Sequence, residues 1–306
     1  METVDRREFL QGSLLTAATM GVLAQERLLG AEEDAFTEAG PIIDTQVYLS
    51  RWPFRRIPGD EDTAALVELL RGHGVVQAWT GSFDGVFHKD VGAVNAGLAE
   101  ACRTDGEGLL VPFGTVNPKL PDWEEELRRC TEEYRMPGIR LHPNYHCYGL
   151  DDPVFVRLLE LAADRGMIVQ LVAWMEDTRH QNPLMPVPEV DLAPLAEIAG
   201  GLPNLRIVLQ NALHVPGIKV LPPLVKCEHV YFDLAKLELI EGLAVALKSM
   251  PIERLLFSSY SPMFYFESTL LKLRESALSK SQAKSIFQDN AQQLLAASNW
   301  RGGNDQ

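Results

Sequence analysis

The stretch GIRLHPNYHCYGLDDPVFVRLLELAADRGMIVQLVA, residues 138–173, holds one full repeat of the fold. It opens on a short apolar run, Gly138–His142, and closes on a second, Ile168–Ala173. Neither alternates strictly between apolar and polar residues, as expected of parallel strands covered on both faces. Between them, Val154–Arg165 carries apolar side chains at i, i+3 and i+4, the spacing of an amphipathic helix. Gly166 sits where a helix C-cap belongs, just before the second strand. The segment therefore reads as strand, crossover helix, parallel strand.

The same pattern recurs on both sides. The other strand candidates are Ile42–Tyr48, Val75–Thr80, Leu109–Gly114, Leu205–Leu209, Val230–Asp233 and Arg254–Ser258. Helical spacing fills Thr63–Arg71, Trp123–Tyr134 and Glu267–Ala277, and Gly72 and Gly200-Gly201 stand as further C-cap candidates. Strand starts fall 24 to 37 residues apart, which suits βα units and leaves little room for an extra domain. Eight such units predict an α/β fold, a single-domain (β/α)8 TIM barrel over residues 36–298, followed by a flexible tail at 299–306. No G-x-G-x-x-G or P-loop follows any strand, which argues against a doubly wound nucleotide-binding sheet.

Composition narrows the function. With 46% hydrophobic residues in 306, the chain can bury a full core without disulfide or metal staples. Its 28 basic against 42 acidic side chains give a net charge of −14, which repels nucleic-acid phosphates and anionic lipid. Cys102, Cys130, Cys147 and Cys227 are far apart with no C-x-x-C pair, so a structural zinc site is not expected.

Residues 1–35 read as an address rather than part of the fold. Asp5-Arg6-Arg7-Glu8-Phe9-Leu10 looks like a twin-arginine export motif. The apolar run Ser13–Ala24 behind it is too short for a stable membrane span. Val22-Leu23-Ala24 offers a small-residue cleavage site. The expectation is a bacterial protein exported to the periplasm or cell envelope. Removing the segment leaves 25 basic against 35 acidic residues, so the protein stays acidic.

A TIM barrel carries its active site at the C-terminal ends of its strands. Those ends hold Gln46 and Tyr48, Trp79 and Ser82, Thr115 and Asn117, and Arg140, His142 and Asn144. Later strands add Val172, Trp174 and Glu176, then Asn211 and His214, Asp233, and Ser258 and Tyr260. This polar and aromatic set suits a small-molecule substrate. Trp52-Pro53-Phe54-Arg55-Arg56 reads as an aromatic, basic loop over the mouth. The long loop Asp177–Pro188 is either a lid or a plain surface loop.

Several of these segments resemble the amidohydrolase-related barrels (amidohydrolase family 2). Pro41-Ile42-Ile43-Asp44-Thr45-Gln46-Val47-Tyr48 is similar to that family's first-strand I-D-x-H-x-H signature. Gly138-Ile139-Arg140-Leu141-His142-Pro143 resembles its fourth strand, and Leu255-Leu256-Phe257-Ser258-Ser259-Tyr260-Ser261-Pro262 its eighth. Asn204–Leu209 and the closing helix motif Asn290-Ala291-Gln292-Gln293-Leu294-Leu295 continue the likeness. The resemblance implies a divalent ion held by two first-strand histidines, a fifth-strand histidine and an eighth-strand aspartate. This sequence has Gln46, Tyr48, Val172 and Tyr260 at the matching positions, and Asn211 where a sixth-strand histidine is common. Valine has no ligand atom, and neutral amide and phenol oxygens replace imidazole and carboxylate poorly. No metal and no other cofactor is expected.

His142 is the candidate general acid or base; its alternative is a hydrogen-bonded structural histidine. Arg140 shares its face by the two-residue period and could clasp a substrate carboxylate or form an internal salt bridge. Tyr48 and Tyr260 would face each other across the former metal position, as pocket lining or as filler of the vacated volume. Gln46, Trp174 and Asn211 complete the expected substrate-binding set. The leading expectation is a metal-independent hydrolase acting on a small anionic ester, lactone or amide. The alternatives are a catalytically inactive barrel that binds a ligand or partner, and a decarboxylase. Relatives of this family often form dimers, so the resemblance allows a homodimer, but the sequence identifies no contact surface.

Overall fold

The computed structural model describes residues 40–57, 62–214, 221–238 and 241–300. The twin-arginine-like segment lies outside the described residues. Eight parallel strands run in the order β1-β2-β3-β4-β5-β6-β7-β8. They are β1 (Ile42–Leu49), β2 (Val75–Ser82), β3 (Leu110–Gly114), β4 (Gly138–Leu141), β5 (Ile168–Val172), β6 (Arg206–Gln210), β7 (Val230–Asp233) and β8 (Leu255–Leu256). β8 has only two ladder residues, and the segment after it completes the closure onto β1. Thr45 N donates to the Phe257 carbonyl at 3.0 Å and Tyr48 N to the Ser261 carbonyl at 2.9 Å. A parallel bridge pairs Val47 with Ser261. The result is the single-domain (β/α)8 barrel that the strand spacing predicts.

The crossover helices begin and end where capping chemistry places them. Asp152 caps Pro153–Asp164 by accepting from Val154 N, and proline at N1 loses no hydrogen bond there. Gly166 takes φ +65° immediately after that helix, a conformation that glycine adopts without strain. At the first helix, Thr63–Gly72, the left-handed residue is Gly74 (φ +78°), not the predicted Gly72, which is still helical. Gly200 and Gly201 likewise lie inside the last turn of Leu195–Gly201.

The barrel interior is layered. At the strand N-terminal end, Ile43, Trp79, Phe113, Ile168, Val208 and Leu256 form an apolar plug, closed by Ala291, Leu294 and Leu295 of the helix Asn290–Ala296. Trp300 packs against that plug, and Asn299 is tied to Gly166 and Arg165 through its backbone N and side-chain amide. Asn299 and Trp300, expected in the tail, thus pack on the barrel, and residues 301–306 lie outside the described residues. Above the plug lies a polar layer. There the Thr45 carbonyl accepts from Gln170 Nε2 (2.8 Å) and Gln210 Nε2 (3.1 Å), with Arg140 Nη2 at 3.5 Å. Among the described residues no helix is long and apolar enough to cross a membrane.

Candidate active site

At the mouth, the ends of β1, β4 and β5 and the turn after β8 bring Tyr48, His142, Val172 and Tyr260 together. The Tyr48 hydroxyl and His142 Nε2 are 3.1 Å apart, and the tautomer decides which donates. The Tyr48 ring stacks on Phe83 with centroids 4.5 Å apart and meets Tyr260 edge-on at 5.7 Å. Tyr260 donates its hydroxyl to the Met175 carbonyl at 3.1 Å. The two tyrosines do face each other, and both are fully buried. Trp52 and Phe54 from the loop after β1 close over them against Phe83, Phe87 and Tyr145. Arg55 from the same loop pairs with Glu176 at 3.5 Å.

Burial sets the protonation states. It holds His142 well below the ordinary imidazole value, with the nearby His146 and Arg140 charges acting in the same direction. It pushes Tyr48 and Tyr260 up. Near neutral pH, phenol and imidazole therefore form a neutral pair.

Arg140 forms no salt bridge among the described residues, and its donors are engaged inside the barrel. Its guanidinium lies beneath the mouth, 4.4 Å from the centroid of the Tyr48 ring, with no exposure. Its donors go to Gln170 Oε1 (2.8 Å) and to the carbonyls of Val47 (2.7 Å) and Trp79 (2.8 Å). These hydrogen bonds hold the guanidinium in place under the Tyr48 ring. A side chain on Gly81 would collide with it, since an added Cβ would lie 2.7 Å from Nη1.

Gln46 and Asn211 are also wholly buried, and neither side-chain amide has a hydrogen-bond partner. Asn211 adopts φ +58°, and its backbone N donates to Asp233 Oδ1 at 2.8 Å. Further unpartnered buried atoms are His142 Nδ1, Asp44 Oδ2 and Asp233 Oδ2. Desolvation raises the Asp44 carboxyl to about 6 and that of Asp233 to about 7. Buried polar groups are normally satisfied, so such a concentration at the strand ends marks a place where water or ligand atoms complete the bonding.

The space beside His142 is small. A cavity of about 10 Å³, lined by His142, Tyr145, Val172 and Trp174, has room for one water. A larger recess of about 590 Å³ lies between the helices Thr63–Gly72 and Val91–Thr104; Tyr48 and the end of β1 line it, but His142 does not. Trp174 packs on His214, with ring centroids 4.5 Å apart, and on Lys236. The sequence reading missed Lys236 and His146. The latter approaches His142 ring to ring at 6.0 Å and is fixed by the Gly85 carbonyl. Both sit within a few residues of a strand end, the position that could have flagged them.

The side chains at the four expected metal-ligand positions do not fit a divalent ion. Val172 offers no donor, and the Tyr48 and Tyr260 oxygens are engaged elsewhere. The Arg140 cation under Tyr48 would repel a second cation. Among the described residues no three His, Cys, Asp or Glu side chains cluster to hold one.

Comparison with known proteins matches residues 43–296 to the amidohydrolase family model. No curated protein matches the chain. Solved structures with the same fold include 2,6-dihydroxybenzoate decarboxylase from Rhizobium. It is 15% identical with a TM-score of 0.65, covering 84% of this chain and 99% of that one. Dihydroxybenzoic acid decarboxylase from Polaromonas, solved with bound manganese, is 16% identical with a TM-score of 0.66 over 84% and 97%. A manganese-bound 5-carboxyvanillate decarboxylase from Novosphingobium aromaticivorans is 14% identical with a TM-score of 0.64 over 85% and 98%. At such identities the likeness is one of fold, whereas the family match spans the whole barrel from β1 to the closing helix. The chain belongs to the amidohydrolase family.

Proposed function

We propose that the chain is a metal-independent hydrolase of this family, cleaving a small anionic ester, lactone or amide at the mouth of the barrel. The observation that carries the reading is the neutral Tyr48–His142 pair, 3.1 Å apart, beside a cavity sized for one water. In this reading His142 accepts a proton from the water as its oxygen attacks the substrate carbonyl carbon. The proton then passes to the leaving alcohol or amine as the tetrahedral intermediate collapses. Tyr48, held neutral by burial, turns its hydroxyl from His142 to the developing oxyanion, Tyr260 walls the site with its hydroxyl on the Met175 carbonyl, and Gln46 and Asn211 bind the substrate's polar groups. No step requires an ion.

Substrate entry needs motion, because Tyr48, His142 and Tyr260 are all buried. The loop 177–188 is the proposed lid. It is latched by Asn144 Nδ2 on the Pro188 carbonyl (2.6 Å) and by Gln181 on the carbonyls of Glu176 and Val187. Export through the residue 1–35 segment to the periplasm or cell envelope belongs to the same proposal.

A second reading, decarboxylation, is favoured by the buried aromatic mouth and by the activities named for the structural relatives. Assaying lactones, esters, amides and aromatic carboxylates with chelator-treated protein separates the two. Released acid supports the first and released carbon dioxide the second. Ligand binding without turnover points instead to an inactive barrel.

A further inference from the structure

Beyond β7 the chain leaves the barrel through Leu234 and Ala235 to Lys236. Ser258 Oγ accepts from both Leu234 N (3.2 Å) and Ala235 N (2.9 Å), and Lys272 Nζ donates to the Ala235 carbonyl at 2.6 Å. Lys236 is thus presented from a fixed backbone. The residue is only 2% exposed, with Nζ 3.7 Å from the Trp174 ring centroid and 5.4 Å from that of Phe264. An ammonium group has three donors. Here Nζ lies over two aromatic rings.

A structural lysine is normally paired or extended to solvent, because burying an uncompensated ammonium is costly. We propose that Lys236 is a nucleophilic lysine that condenses with the carbonyl group of a small aldehyde or ketone to form an imine. The proposal does not rest on the hydrolase reading. An amine desolvated in an apolar pocket is the usual way to activate lysine for this chemistry. Burial brings Lys236 down to about 8, so roughly a quarter is neutral at pH 7.5.

In the proposed step the neutral nitrogen attacks the carbonyl carbon, forming C–N as the carbonyl π pair moves to oxygen. Loss of one proton from nitrogen and its gain by oxygen give a carbinolamine. The hydroxyl then leaves as water while the nitrogen lone pair forms C=N. From the ammonium form, the net change is one carbonyl compound in, one water out and one iminium cation at Nζ. That cation occupies the same face of Trp174 as the ammonium, so the cation–π contact is retained. The acidic surroundings also suit it: Glu238, Asp177, Glu176 and Asp233 all favour positive charge at this nitrogen.

The test is reductive trapping. The folded protein is incubated at pH 7.5 with substoichiometric acetaldehyde or benzaldehyde and cyanoborohydride, and the adduct is mapped by peptide mass spectrometry. Expected is at least a 10-fold preference for Lys236 over surface lysines such as Lys119 and Lys284, lost in the unfolded chain. Lys236→Met removes the adduct, while His142→Ala leaves it, so failure of the hydrolase reading does not touch this one. Adducts spread over the surface lysines with Lys236 unmodified would overturn it, as would equal labelling in folded and unfolded protein.

Discussion

The hydroxyl of Tyr48 and Nε2 of His142 approach to 3.1 Å at a place where neither residue is exposed. Because burial favours the neutral form of both, this pair keeps an available imidazole lone pair at pH values where an ordinary histidine would be protonated. A base must be neutral to accept a proton. The acid limb of kcat/KM should therefore lie well below pH 6.5, with the rate flat between about pH 6 and 7.5. His142→Ala should lower kcat by about 100-fold or more, and Tyr48→Phe by about 10-fold. An acid limb at or above pH 6.5 would show that His142 is not the base.

Arg140 holds the floor of the mouth. Arg140→Met leaves Gln170 Oε1 and the Val47 and Trp79 carbonyls without their donor. At about 1–3 kcal/mol for each unsatisfied buried group, the loss should be about 3 kcal/mol or more in urea unfolding. Arg140→Lys should not rescue it, since one ammonium cannot reproduce the fork. A stable Arg140→Met protein with only a raised KM would instead restore the substrate-clasp role.

Asp233 ties stability to pH. Its folded carboxyl titrates near 7, above the unfolded value, so the folded state binds the extra proton below that point. Its stabilising contribution is present at lower pH and lost as pH rises through about 7. The low-lying His142 and His146 act oppositely below pH 6.5, and Lys236 acts oppositely near 8. Comparison with Asp233→Asn isolates the carboxyl. The variant's stability relative to wild type should increase by about 1 kcal/mol between pH 6.5 and 8. A pH-independent difference would mean that Asp233 does not titrate there.

Export is tested directly. Arg6→Lys together with Arg7→Lys should leave the protein in the cytoplasm of a bacterium that has a twin-arginine translocase, by fractionation and immunoblot. Unchanged periplasmic delivery would remove the proposed address.

Much of the fold was legible in sequence because strands buried on both faces are near-continuous apolar runs, as Ile168–Val172 is apart from the inward, hydrogen-bonded Gln170. β8 was the least regular: Arg254–Ser258 reads as a strand, yet only Leu255 and Leu256 pair, and closure falls to Phe257 and Ser261. In the site, the two-residue period correctly put Arg140 and His142 on one face. It carries no depth, however, and depth separates a guanidinium buried beneath Tyr48 from one open to substrate. Lys236 was invisible because a single lysine after an apolar strand looks like an ordinary solvated charge. Only the approach of Trp174 from β5 and Phe264 from beyond β8 encloses it.

The most direct test is to purify the protein without chelator, measure bound Zn, Mn and Fe, and assay the ester, lactone and amide panel before and after chelation. The expected result is metal far below one ion per chain, a rate unchanged by chelation, and a rate abolished in His142→Ala. Near-stoichiometric metal, or turnover that appears only when Mn²⁺ or Zn²⁺ is supplied, would contradict it.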